Sequence, residues 1–582
     1  MEDEDTERRE KVNYGRLTLI FLGTYWKILF AILWPLLLLP PLIIYNYMEV
    51  RCAFVVLIMA GYWITEVFPM AITSLIPIVL FPCFGILNTA ETCSCYMNDT
   101  IMVFIGGLIL AVAIEHCNLH LRIALGVMKI VGCSHSRLLA SLCVVTTFIS
   151  MWVSNTAATA MMLPIIFAVL RELEEVSATA MMLPIIFAVL RELEEAGFAR
   201  MFVEVTDLRG DHESTIRPTK ITMSYLLITA YSATFGGTGT LVGTGTNLTF
   251  KGIYESTFPM TEGINFTAWM IASFPQMVLN SFCTWLYVRI AFLGYLRPKS
   301  KDALAATIGK EGEIIANNVV KERYSNLGPI SFHEISVAIL FMMCIFLWIF
   351  RKPGFIIGWS EYITDIEVKD STPVIFASIL MFFIPKYPAF IYSWSKDPTK
   401  RPIKSSEGLI TWKVIETKMP WSLMFLLGGG FAISKGSVHS SLARLIGQSL
   451  TPLKTLPPII IMACICLFVG IITEFTSNVG IANITLPVIA QMSIAMELHP
   501  MYLMVPATLM CSFSFRLPVG TPPNALITVA GHIPTKWLML AGCVPSLYSL
   551  LIQVLLFPVW GVYIYDIYEF PDWARQPQEE EN

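Results

Sequence analysis

The chain has 582 residues, 55% hydrophobic and only 14% charged, with a net charge of −4 and a mean hydropathy of +0.65. Soluble domains carry about 25% charged residues, so this composition excludes an ordinary soluble domain, and the near-balanced charge gives no footing for a nucleic-acid partner. Thirteen cysteines, an odd number lying mostly inside apolar stretches, exclude a disulfide framework, and eight scattered histidines offer no cluster with metal-ligand spacing.

In chain order, the N-terminus, MEDEDTERREK, is polar and acidic, which predicts no cleavable signal peptide and a tail over residues 1–28. Apolar runs long enough to cross about 30 Å of hydrocarbon then recur, among them residues 28–48, 274–293 and 335–350. Residues 53–83 must cross twice, with a break near Glu66–Pro69. Lys and Arg concentrate at Arg8–Lys27, Arg297–Arg323 and Lys386–Lys418, which places these stretches in the cytoplasm. By parity the N-terminus is cytoplasmic and the tail after residue 563 is outside.

Two segments do not fit single crossings. Residues 138–153 and 157–170 are short for a span and flank the polar Ser154-Asn155-Thr156. A re-entrant hairpin from the cytoplasm resolves this, and residues 456–475 and 479–490 repeat it around Ser477-Asn478-Val479, entering from outside. A proline stands ten residues after each serine, at Pro164 and Pro487. FIGGLILA (104–111) matches LLGGGFAI (426–433), and Gly243-Thr-Gly-Thr-Asn247 matches Gly520-Thr-Pro-Pro-Asn524. Three motifs in one order, with opposite parity, predict an inverted repeat, the arrangement of secondary transporters with a midplane site. The expected fold is an all-α polytopic membrane protein of about 11 transmembrane helices plus two re-entrant hairpins. Its expected organisation is scaffold spans at 29–100, a first repeat at 101–250, scaffold spans and loops at 251–418, a second repeat at 419–530, and a last span and tail at 531–582.

The chemistry follows from the breaks. Gly and Pro at 236–245 and 518–523 interrupt helices at depth. Exposed N–H groups at half-helix N-termini attract an anion, while carbonyls and Ser, Thr and Asn oxygens attract a hard cation such as Na⁺. Small polar residues also serve plain helix packing, but four such motifs in two ordered pairs favour a binding role. A membrane hydrolase built on Ser154 or Ser477 lacks a histidine base in a nearby span and a GxSxG turn, so no enzyme is expected.

The two Ser-Asn tips, LLGGGFA, GTGTN and LPVGTPPN, with ITWK, NLTFKGIYE and FPDWA, resemble the divalent anion/sodium symporter family over nearly the whole chain. The match is nearest to its animal di- and tricarboxylate branch. The resemblance implies a plasma-membrane homodimer that moves small carboxylates such as citrate and succinate through the bilayer by an elevator motion, with Na⁺ as the candidate coupling ion and no other cofactor. It implies substrate contacts at Ser154, Asn155, Thr156, Ser477, Asn478, Val479, Thr521 and Pro522. It places one cation site at Ser150, Ser154, Asn155, Gly243 and Asn247, and the other at Thr473, Thr476, Asn478, Gly520 and Asn524. The residue after Ser477-Asn478 is valine rather than the proline common in the sulfate-carrying branch.

Two features depart from the family. Arg516 stands where the sodium-coupled carriers have an apolar residue. It either pairs with an acid such as Glu474 or serves as a cation substitute, its guanidinium meeting the oxygens that Na⁺ would occupy and permitting cation-independent exchange. The second is ATAMMLPIIFAVLRELEE, spelled identically at 158–175 and 178–195. Two copies make no solenoid. They point to a recent tandem copy or a gene-model error, with no substrate role for the second.

Overall fold

A computed structural model describes residues 14–132, 134–180, 202–206, 214–261, 263–300, 310–352, 357–395, 397, 399 and 401–574. Helices dominate; the described residues hold one antiparallel ribbon, Phe202–Thr206 with Ser214–Pro218, on the polar stretch after the duplicated segment. Six described helices are long and apolar enough to cross a membrane, among them Met48–Thr65, Phe332–Ile349 and Thr535–Trp560. The break expected near Glu66 is present: Glu66 ends Met48–Thr65 in the left-handed region, and Met70–Thr73 and Ile76–Cys83 follow.

Each expected hairpin is a pair of helices joined by a short polar turn. The first is His135–Ser150 and Asn155–Ala180; the second is Pro458–Ile472 and Asn478–Ala495. Both returning arms run further than the sequence reading expected, to Ala180 and Ala495 instead of residues 170 and 490, because the helices carry on past the apolar runs. The first helix carries on through Arg171 and into the start of the second copy; the rest of that copy lies outside the described residues.

The Gly and Pro clusters break helices as expected. Lys220–Gly237 stops and Gly245–Thr257 resumes; Pro500–Ser512 stops and Pro522–Ala530 resumes. The first half of each broken helix packs on the hairpin of its own repeat, Lys220–Gly237 on the first and Pro500–Ser512 on the second. The second halves cross over. Gly245–Thr257 packs on Asn478–Ala495, and Pro522–Ala530 packs on Asn155–Ala180. The repeats are therefore interlocked around the two polar turns.

Glycines set these approaches. A Cβ on Gly430 would collide with the Asn483 side chain, and one on Gly107 would stand 3.1 Å from Val242. A buried charge cluster fixes the far end of the first broken helix. Lys251 Nζ lies 2.9 Å from Asp370 and 3.7 Å from Asp99, and Arg351 Nε lies 2.8 Å from Asp370. These bonds tie Gly245–Thr257 to the packed pair Asp99–His116 and Ser371–Phe383. Five charges, Glu255 included, would be costly in such a place if they were not mutually paired.

Candidate functional site

The site is built from two turns and two helix breaks. In the first turn, Ser150 Oγ lies 2.8 Å from Asn155 Oδ1 and 2.7 Å from the Ala233 carbonyl, which joins the hairpin to the helix before the break. The second turn repeats this at the same five-residue spacing. Thr473 Oγ1 donates to the Cys511 carbonyl at 2.5 Å and lies 2.8 Å from the Asn478 amide. Asn478 is best satisfied with its nitrogen donating to Thr473 Oγ1 (2.8 Å), Cys511 O (3.2 Å) and Gly520 O (3.1 Å).

Each break is spanned by an asparagine from the helix that follows it. Asn247 Nδ2 donates to Gly237 O at 3.1 Å and Thr240 O at 2.7 Å. Asn524 Nδ2 donates to Ser514 O at 3.1 Å and Leu517 O at 3.2 Å. In both residues the amide oxygen is buried and meets no donor of the protein. A buried acceptor left unmatched is costly, and the same atom is left so in both halves. The linkers that hold the two amides border the turns: a Cβ on Gly237 would meet Asn155 Oδ1, and one on Gly520 would stand 2.9 Å from the Glu474 carbonyl oxygen. Amide, hydroxyl and carbonyl oxygens are the ligands a Na⁺ ion takes.

Burial divides the expected residues in two. Ser150, Gly243, Asn247, Thr473, Thr476, Gly520 and Asn524 are all buried, as cation ligands would be. Ser154 and Pro522 are exposed, and Asn155, Thr156, Ser477 and Asn478 are half-buried, so they present polar surface at the turns. Val479 and Thr521 are buried despite their assignment to substrate. Val479 instead packs against the start of the first resumed helix, where a Cβ on Gly245 would stand 2.9 Å from its Cγ2.

The turns also bring helix N-termini together. Ser477 caps Asn478–Ala495, accepting from the Gly480 N–H, and Ser154 accepts from the Ala157 N–H. The resumed halves begin at Gly245 and Pro522. Helix N-termini carry partial positive charge and unpaired N–H groups, a ready site for a carboxylate. Thr246 Oγ1 and Ser512 Oγ, 2.5 Å apart, join the two repeats beside these ends.

Arg516 has its own partner. Its Nε lies 3.1 Å from Glu474 Oε1, and its Nη2 donates to the Gly470 carbonyl at 3.3 Å. The guanidinium engages neither Asn478 nor Asn524, so the geometry supports the ion pair and not the cation substitute. Glu474 also accepts from the N–H groups of Phe515, Arg516 and Leu517 and from Ser514 Oγ. It thereby sets the linker whose carbonyls hold Asn524.

Several partners were not readable beforehand. Ala233, Cys511, Ser514 and Leu517 act through backbone carbonyls, which side-chain patterns do not mark. Gly237 is needed because a Cβ there would collide with Asn155 Oδ1; its place in the glycine cluster was the available signal.

Comparisons with known proteins give the family. Residues 173–567 match the family described as the sodium:sulfate symporter transmembrane region, and residues 60–190 match a citrate transporter family. The chain is 42% identical to the Drosophila melanogaster protein "I'm not dead yet", over 95% of this chain and 92% of that one. It is 39% identical to the human Na⁺/dicarboxylate cotransporter 3, over 94% of each. Against the mouse Na⁺/citrate cotransporter it is 35% identical over 93% of this chain and 96% of the relative. The chain belongs to the divalent anion/sodium symporter family, and it is a membrane transporter, not an enzyme.

Proposed function

We propose that the chain is a sodium-coupled carrier of di- and tricarboxylates of the citrate and succinate class. The observation that carries this reading is the pair of unmatched buried amide oxygens, Asn247 Oδ1 and Asn524 Oδ1, one beside each turn. Ser150, Asn155, Gly243 and Asn247 would hold one Na⁺; Thr473, Thr476, Asn478, Gly520 and Asn524 would hold the other. Bound there, the ions supply positive charge next to the anion. The accessible Ser154, Asn155, Thr156, Ser477, Asn478 and Pro522 and the helix N-termini would take the substrate's carboxylates. The names of the relatives support the substrate class, since two of them are a dicarboxylate and a citrate cotransporter. The pairing of Arg516 with Glu474 supports the ion-pair reading of that residue; cation-independent exchange is the second reading, and the Na⁺ dependence of uptake separates the two.

The same reading places the carrier in the plasma membrane as a homodimer, with the N-terminus in the cytoplasm and the C-terminus outside, moving its repeats as an elevator. The interlocked repeats and the distribution of Lys and Arg support it. Uptake of radiolabelled citrate and succinate by cells expressing the chain, with Na⁺ and with Na⁺ replaced by choline, tests the proposal. Saturable uptake that collapses without Na⁺ is expected. Uptake of sulfate alone, or carboxylate uptake indifferent to Na⁺, would overturn it.

A further inference from the structure

Between Ser371–Phe383 and the short helix Trp412–Lys418 the chain makes an excursion with a framework of its own. Its base is pinched shut. Pro385 and Gly408 pair as an antiparallel bridge, Lys386 N–H donates to Glu407 O at 2.7 Å, and Leu409 N–H donates to Ile384 O at 2.9 Å. Tyr387 N–H adds a bond to Ser406 Oγ at 3.1 Å. Glycine is required at 408, where a Cβ would stand 2.5 Å from the Phe382 carbonyl oxygen. Farther out, Ala389–Trp394 forms a 3-10 turn, and Arg401 Nε ties the returning limb to it through Ser395 O at 3.0 Å.

A loop held this firmly has its large side chains turned outward. Tyr387, Phe390, Ile391 and Tyr392 are exposed, Trp394 is 86% exposed and Ile403 98%. Such a concentration of apolar and aromatic side chains is favourable only when something covers it. Cations surround them: Lys386, Arg401 and Lys404 among the described residues of the loop. Its carboxylates do not balance these. Asp397 is turned onto the Thr399 N–H (3.1 Å) and hydroxyl (2.7 Å), and Glu407 sits at the pinched base. From Lys386 to Lys418 the sequence carries seven Lys and Arg against three Asp and Glu. Aromatic rings beside basic groups are the composition that settles at a membrane–water interface carrying negative charge.

We propose that this loop docks on anionic phospholipid headgroups of the cytoplasmic leaflet. Phe390, Tyr392, Trp394 and Ile403 enter the headgroup zone, while Lys386, Arg401 and Lys404 pair with headgroup phosphates and carboxylates. The cytoplasmic placement rests on the orientation given under the proposed function. Since the loop is continuous with Ser371–Phe383, docking holds that scaffold helix at a fixed depth.

The test uses the full chain purified with phosphatidylserine and examined by native mass spectrometry, beside citrate uptake in proteoliposomes of phosphatidylcholine with and without phosphatidylserine. Wild type should retain phosphatidylserine and transport several-fold faster when it is present. The triple variant K386Q/R401Q/K404Q should lose about fivefold in lipid retention per cation removed and transport in phosphatidylcholine as wild type does. Trp394→Gln should show a weaker form of the same loss. Equal retention by wild type and the triple variant overturns the proposal. So does a change in the variant's oligomeric state without a change in lipid, since that would make the face a contact between copies. Labelling of Ile403→Cys by an impermeant maleimide in intact cells would reverse the orientation, while the lipid measurements would still decide whether the loop binds anionic headgroups.

Discussion

The two repeats build the same asparagine device and secure it by opposite means. In the first, the linker after Gly237 is held by neutral groups. Thr240 Oγ1 donates to the Met151 carbonyl, Trp269 Nε1 donates to Thr238 O at 3.2 Å, and Ser273 Oγ donates to Gly239 O at 3.2 Å. In the second, one buried carboxylate replaces all of these. Glu474, at the position that Met151 holds in the first, gathers three backbone N–H groups, the Ser514 hydroxyl and the Arg516 guanidinium. A duplicated frame can thus keep its binding chemistry while the support behind it diverges. The neutral version spreads its load over several bonds, whereas the charged one depends on a single residue.

The largest effect is expected where the halves are alike. Asn155→Ala removes the amide that bonds Ser150 and lies against Gly237, and Asn478→Ala removes the amide that bonds Thr473 and Gly520 O. Unmatching a buried partner costs about 1–3 kcal/mol, or about five- to 150-fold, before any loss of substrate contact. Both variants should reach the cell surface and fail to take up citrate. Near-normal uptake by one of them would end the symmetric reading.

The halves should then part at their supports. Glu474→Ala leaves four donors without that acceptor and the Arg516 guanidinium without its counter-ion, a loss of about 3–5 kcal/mol, whereas Met151→Leu at the matching position should cost less than about 1.5 kcal/mol. Thermal unfolding of the purified proteins would read the difference, and equal shifts would refute it. The first half places its buried charge elsewhere, at Lys251, so Lys251→Met should lower the midpoint about as much as Glu474→Ala does.

Arg516→Leu should do less. Its side chain is 30% exposed, and Glu474 keeps its four other donors, so about 1 kcal/mol is at stake. The Na⁺ dependence of citrate uptake should be the same in the variant as in wild type. Sodium dependence that arose only in the variant would return the guanidinium to the role of cation substitute. The smallest effect is expected from deleting residues 178–197. Uptake should stay close to wild type, and complete loss in a surface-expressed deletion would assign the second copy a function.

What was legible in the sequence was whatever depends on local pattern. The breaks at 236–245 and 518–523 were readable because glycine and proline end a helix through their own backbones. The turns at Asn155 and Asn478 were readable because a polar triplet between two short apolar runs cannot lie in lipid without lining a site. The lengths of the returning arms were not. The apolar runs stop near residues 170 and 490, but the helices continue to Ala180 and Ala495 because a helix needs no apolar face once it has left the hydrocarbon.

The sequence by itself determined the membrane class, the order of the repeated motifs and the pairing of the asparagines, since each is a matter of composition, spacing or order along the chain. Only the tertiary structure decided the partners. Arg516 could have met Asn478 or Glu474, and the linker that carries it folds back onto the carboxylate. Lys251 and Asp370 are 119 residues apart and meet only because the second half of one broken helix lies against a helix end from outside its repeat. The buried oxygens of Asn247 and Asn524 were left open by the same kind of packing. Their nitrogens are spent on carbonyls of apolar and small residues that no side-chain pattern announces, and the helix breaks bring those carbonyls within reach.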